Sequence, residues 1–328
     1  MANGEIPILI GTHALIQKTV NFKNLAYIVI DEQHRFGTAQ RQKLARKDDF
    51  SPHLLSMTAT PIPRTLALSI YGDLDLTLLD QMPSGRKPII TELVLPEARK
   101  EVYEKIRTEI KSGRQAYVIC PRINEPDPAK ETALNTKSVK AEAERLKKEV
   151  FKEYTIDILH SKMKPAEKDA VMKKFESGET KILVATSVVE VGVNVPNATS
   201  IIIEGAERFG LAQLHQLRGR VIRSNHQAYA YLFADTKSDK SLDRLKALQT
   251  SKNGFELAEF DLQFRGAGDL YGRKQWGLTD LGMEAIKNIK MVEAARNESS
   301  EIVKKDPELR KHKDIAQELA TRPEVHFE

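Results

Sequence analysis

The chain has 328 residues, enough for about two domains with ordinary buried cores, which excludes a disulfide-stapled miniprotein. Hydrophobic residues make up 41% and charged residues 30%, a balance that excludes a disordered polyampholyte, and no window has the apolar length of a membrane span or the pattern of a signal peptide. The net charge of +5 permits a polyanionic partner, and the single cysteine, Cys120, cannot form an internal disulfide, which fits a reducing cytoplasm.

Short Val/Ile/Leu runs alternate with helical stretches along the chain, the pattern of an α/β protein with a mostly parallel sheet covered on both faces. The first part predicts strands at 8–10, 27–30 and 54–57. Each is followed at once by polar or small residues: Gly11, Thr12 and His13; Asp31 and Glu32; Thr58, Ala59 and Thr60. Open α/β sheets bind ligands beyond the carboxyl ends of their strands, so these tails are the expected place for chemistry. A turn-rich connector spans 81–88. The alternation then restarts, with strands predicted at 116–120, 155–159, 182–185, 201–203 and 228–233, and helices at 138–152, 166–176 and 211–222. Residues 124–136 follow neither period and are expected to form an insertion. From about 236 the pattern is helical and charged; Ile286, Ile289, Met291, Val292 and Ala295 share one helix face, and Asp306 with Pro307 marks a new start.

Five segments carry chemistry. In YIVIDEQHRFG (27–37), a buried strand delivers Asp31 and Glu32 to its carboxyl end, where one carboxylate can hold Mg²⁺ and its neighbour can orient a water. The pair alone would equally suit an acidic helix cap, and QHRFG argues against that simpler use. In SMTATPIPRTL (56–66), hydroxyl residues before Pro61 and Pro63 form a strand-to-helix turn. In ILVATSVVEVGVNVP (182–196), a strand ends at Thr186 and the Gly192 loop can approach a phosphate backbone. LAQLHQLRGRVIR then places Gln216, Arg220 and Arg223 near one helical edge, where two arginines can contact a γ-phosphate or simply form a solvated basic face. The last segment, 255–277, runs a short amphipathic helix into a Gly-rich loop with Arg265 and, further on, Gln275.

Taken together, DEQHRFG (31–37), TATPIPRT (58–65), MKPAEK (163–168), EVGVNVPNA (190–198), GLAQLHQLRGR (210–220) and FRGAGDLYG (264–272) resemble, in order, the RecG family of superfamily 2 DNA helicases. The resemblance implies RecA-like P-loop NTPase helicase lobes: half a lobe at 1–88, a complete second lobe at 89–236, and a helical translocation segment at 237–328. It implies ATP and Mg²⁺ as cofactors, with Asp31 and Glu32 as the Walker B pair and Asp31 holding the metal indirectly. Gln216, Arg220 and Arg223 would sense the phosphates across the cleft between lobes, while Gln33, His34, Thr58 and Thr60 would couple nucleotide state to the facing domain. Thr12, His13 and Thr186 would contact DNA, and Arg265 and Gln275 would drive translocation. The implied partners are forks and Holliday junctions and a single-strand-binding protein, met by a cytoplasmic, nucleoid-associated monomer.

The sequence also departs from the family. Ile222 stands where a glycine is usual within the arginine segment, and no glycine is followed by lysine, so the phosphate loop GxxxxGK[ST] is missing. The family's wedge domain is missing too. The expectation is therefore a C-terminal fragment whose 328 residues alone turn over ATP negligibly. Two alternatives stay open: a duplex translocase like the transcription-repair coupling factor, which residues 223–233 resemble, and a non-catalytic DNA-binding module.

Overall fold

The computed structural model describes residues 4–16, 20, 22–32, 52–59, 75, 77–79, 85, 87–121, 138–186, 195–221, 225–251, 253–265 and 289–321. The chain divides into two compact units, 1–78 with 267–328, and 79–266. The insertion expected at 124–136 lies outside the described residues.

The larger unit is built on six parallel strands: β3 (Ile90–Val94), β4 (Gln115–Ile119), β5 (Ile156–Leu159), β6 (Ile182–Ala185), β7 (Ala198–Glu204) and β8 (Tyr229–Phe233), in the order β3-β8-β7-β4-β6-β5. β4, β6 and β7 are buried at every position. Successive side chains feed opposite cores, as the two-residue period of a strand requires. Tyr117, Ile119, Leu183, Ala185, Ile201 and Ile203 enter one core, while Ala116, Val118, Cys120, Ile182, Val184 and Ile202 enter the other. Each fully buried Leu, Ile or Val side chain contributes about 1.5–3 kcal/mol, so the two cores together dominate the stability of this unit.

The second of these cores is covered by α1 (Arg99–Lys111), which buries Val102, Tyr103, Ile106 and Ile110 at helical spacing, and by α2 (Val139–Arg145). The oxygen of Ser138 caps α2 by accepting from the Ala141 amide at 3.1 Å. α2 runs on into one π turn, Leu146–Val150, where the Phe151 amide donates to the Leu146 carbonyl at 2.7 Å. That turn seats the Phe151 ring edge-on against Tyr103, centroids 5.6 Å apart. The first core takes α3 (Pro165–Glu176), α4 (Leu211–Arg218), α5 (Asp239–Thr250) and α6 (Gly254–Arg265). α4 packs against both α5 and α6, and Leu245, Leu248 and Leu257 enter the core, so the compact unit continues past residue 236.

Three differences from the sequence reading have physical causes. β3 and α1 escape it because Thr91 and Glu92 interrupt the apolar run and eight of the thirteen residues of α1 are charged. The helix expected over 211–222 ends at Arg218, where Gly219 caps it and a 3₁₀ turn, Gly219–Val221, follows. In the smaller unit, β1 (Tyr27–Ile30) pairs in parallel with β2 (His53–Ser56), but 8–10 forms no strand. Ile8 is 76% and Ile10 91% exposed, so this run lacks the cover that makes such a segment a buried strand.

Elsewhere in that unit, α7 (Ile289–Lys305) and α8 (Lys313–Thr321) are joined at Asp306, whose carboxylate accepts the amides of Arg310 at 2.9 Å and Lys311 at 2.7 Å. Those amides, Lys311 first, hold the Asp306 carboxyl below its ordinary range. Met291 and Ala295, expected on one face of this helix, are exposed; Ile286 and the side chains of Ile289 and Val292 lie outside the described residues. No described helix is long and apolar enough to cross a membrane.

Gln115 knits the amino-terminal edge of the larger sheet: buried at the start of β4, its Nε2 donates to the carbonyls of Phe175 at 2.5 Å and Thr180 at 2.7 Å. Gln115→Leu removes the side-chain donor to Thr180 and leaves the Phe175 carbonyl only its backbone donors, such as the Gly178 amide at 3.1 Å, and is expected to lower unfolding free energy by about 1–3 kcal/mol, read as a lower midpoint in urea denaturation at unchanged slope.

Candidate functional site

β1 is apolar until Ile30 and then delivers Asp31 and Glu32. Asp31 is exposed and its Oδ1 accepts the Glu32 amide at 2.9 Å. Glu32 sits at φ 52, in the left-handed region that costs a residue with a β-carbon about 1–2 kcal/mol. Such strain gathers at functional sites. Two carboxylates at one strand end form a hard oxygen donor set, and the residues present fit a divalent cation carrying phosphate oxygens. Thr12 opens a 3₁₀ turn, His13–Ile16, by accepting the Leu15 amide on its carbonyl at 3.0 Å; Thr12 and Thr58 are both exposed.

In the larger unit, Thr186 is the expected residue that stands just beyond the carboxyl end of a strand. β6 and β7 flank β4 in the sheet, and open parallel sheets of this kind take ligands beyond the carboxyl ends of their strands. Thr186 follows β6 and is buried, its amide donating to the Leu159 carbonyl at 3.3 Å. Glu204 ends β7 with its side chain 2% exposed, 3.5 Å from Arg99, whose guanidinium lies over the Phe233 ring at 5.0 Å. Gln216 lies on α4 and Arg220 on the 3₁₀ turn, both half-buried. Arg220 therefore does not share the regular α-helical spacing expected of it.

A basic cluster surrounds the end of β5, and of its members only Lys168 falls within the MKPAEK segment. His160 follows β5, and burial first, then Lys140, holds its imidazole below the ordinary histidine range, with Lys168 and Lys162 adding to the effect. Lys168 Nζ donates to the Ser161 carbonyl at 2.9 Å, which pins the loop to α3. Neutral imidazole among three ammonium groups makes a patch of positive potential suited to phosphate.

Arg218, at the last position of α4, was also missed. It is 5% exposed, and no carboxylate faces it among the described residues. Its Nη1 donates to the Leu248 carbonyl at 2.9 Å and lies 3.5 Å from Thr91 Oγ1, and its Nη2 donates to His215 Nδ1 at 3.1 Å. That bond requires the neutral Nε2–H tautomer of His215. Burial, reinforced by the Arg218 charge, pushes the His215 pKa down to about 4.

Gln33, His34, Thr60, Arg223 and Gln275 lie outside the described residues, as do the side chains of His13 and Arg265.

Residues 98–225 match the helicase conserved C-terminal domain, 251–319 match domain 3, C-terminal, of ATP-dependent DNA helicase RecG, and 1–68 match the DEAD/DEAH box helicases. ATP-dependent DNA helicase RecG of Synechocystis sp. is 46% identical over 325 residues, 99% of this chain and 38% of that protein. Its counterpart in Bacillus subtilis is 44% identical over 308 residues, 93% of this chain and 44% of the relative. The structure of RecG bound to a three-way DNA junction superposes with a TM-score of 0.66 at 42% identity, covering 89% of this chain and 37% of that one. The chain thus spans about two fifths of the length of these relatives.

The His215 shift sets a pH dependence. Its folded pKa of about 4 lies below the ordinary 6.5, so the unfolded state binds more protons between those values, and the stabilisation, complete above 6.5, is lost as pH falls towards 4. The unfolding free energy, measured by denaturation from pH 7.5 to 4, is expected to fall by on the order of 1–3 kcal/mol from this group, a component that His215→Gln removes.

Proposed function

Because the chain belongs to the RecG family of DNA helicases, whose C-terminal part it matches, we propose that it is the motor region of an ATP-dependent enzyme that moves on branched duplex DNA, at stalled forks and Holliday junctions, in recombination and repair. The observation that carries the reading is the strained pair at the end of β1, Asp31 with Glu32 at φ 52. Mg²⁺ and ATP, when bound, supply a neutralised phosphoryl electrophile. Asp31 would hold the metal through its water, and Glu32 would orient the attacking water and accept its proton.

Gln216, Arg220 and Arg223 would neutralise the charge that develops on the transferring phosphoryl group. Gln33, His34, Thr58 and Thr60 would pass nucleotide state to the DNA contacts, Thr12, His13 and Thr186, while Arg265 and Gln275 would convert it to movement. To the DNA contacts we add Lys140, Lys162 and Lys168, supported by the potential they place at His160. Contacts of this kind recognise backbone and shape and carry no base code. The protein would act as a monomer in the bacterial cytoplasm, at the nucleoid, with a single-strand-binding protein as partner.

Since no glycine precedes a lysine anywhere in the sequence, the 328 residues alone are expected to turn over ATP negligibly; robust hydrolysis by the purified chain would count against this. In a protein joining the N-terminal part of the Synechocystis relative to this chain, Glu32→Gln is expected to lower junction-stimulated hydrolysis at least ~100-fold, and unchanged turnover would remove Glu32 from the reaction. Three-way-junction binding should weaken with added salt, and Lys162→Ala should reduce the slope of log affinity against log salt by about 1.

A further inference from the structure

A guanidinium buried without a carboxylate needs a reason to be there. Arg218 stands at the last position of α4, immediately before the turn Gly219–Val221. It is 5% exposed, and its Nε has no hydrogen-bond partner among the described residues. An apolar side chain would fill the same space at lower desolvation cost, so filling space does not account for it. What it adds is direction. One nitrogen reaches the Leu248 carbonyl on α5 at 2.9 Å and another the His215 ring on its own helix at 3.1 Å, so the guanidinium bridges α4 to α5. The Thr91 hydroxyl, at 3.5 Å, is a marginal third contact. The carboxyl end of α4 carries partial negative charge, which favours a cation there.

We infer that Arg218 is a positioning residue, a tether from the end of α4 to the Leu248 carbonyl that fixes the turn carrying Arg220. The inference rests on the role proposed for Arg220, and it extends that role to a neighbour that touches no nucleotide.

Amide hydrogen exchange on the full chain tests the tether without using ATP, so its failure is separate from any failure of the hydrolysis reading. The Gly219 amide bonds to the His215 carbonyl, and the Ser251 amide bonds to the Ala247 carbonyl at 3.0 Å. In Arg218→Met, exchange at both sites is expected to accelerate at least tenfold while β7 and β8 stay within about twofold of the parent. Arg218→Lys, which reaches one acceptor, should restore most of the protection. Thr91→Val should change nothing beyond about twofold. Acceleration spread evenly over the whole unit would reduce Arg218 to a general stabiliser and overturn the inference. Unchanged exchange at Gly219 would overturn it as well. If the Met variant does not fold, His215→Leu carries the test by removing the Nη2 acceptor: acceleration confined to Gly219 supports the tether, and none refutes it.

Discussion

A parallel strand buried on both faces has little room for a polar side chain in its middle. β4, β6 and β7 meet this condition, with Tyr117 and Ile119 turned one way and Ala116, Val118 and Cys120 the other. Polar chemistry is thereby pushed to the strand ends, and the parallel arrangement puts every carboxyl end on the same edge. His160, Thr186 and Glu204 stand together on that edge for this reason, although they are far apart in the chain. The opposite edge is given to stability, and there Gln115 spends its amide on two carbonyls of the chain itself.

Arg218 apart, the charged groups buried in the unit are held by one another. Arg145 grips Glu142 through Nε at 3.0 Å and Nη2 at 2.6 Å and donates to the Tyr103 hydroxyl at 2.7 Å, which joins the end of α2 to α1. Burial pushes the Tyr103 hydroxyl up to about 12, so it stays a neutral acceptor at any physiological pH. Arg99 and Glu204 join the start of α1 to the end of β7. Buried pairs of this kind add little net stability compared with apolar packing, but they penalise every arrangement that separates them. They serve as registration marks between the helical layer and the sheet.

How much of this could be read from sequence follows from the same physics. Strands at the centre of the sheet are legible because continuous burial writes a continuous apolar run, as in 182–185. β3 is not, because an edge strand is buried less completely and tolerates Thr91 and Glu92. Asp31 and Glu32 are legible because acids end an apolar run abruptly, whereas the backbone inversion at Glu32 leaves no trace in residue type. Arg220 stood out beside a glycine, yet that same glycine ends the helix on which its spacing depended. Arg218 was passed over because an arginine at a helix end reads as solvated; His215 is near it by helical spacing, but only the fold brings the Leu248 carbonyl to it.

The π turn after α2 has a consequence of another kind. Between Leu146 and Phe151 the chain carries one residue more than an α-helical turn would need, and an α-helix advances about 100° per residue. The extra residue brings Phe151 round to the core without moving Val139 or Ala143, which lie a turn or more upstream. Chain length and core registry are uncoupled at this point. An insertion or deletion there would act as a rotary adjustment of everything that follows up to β5, which makes this short segment a natural place for relatives to differ in length while keeping the same sheet.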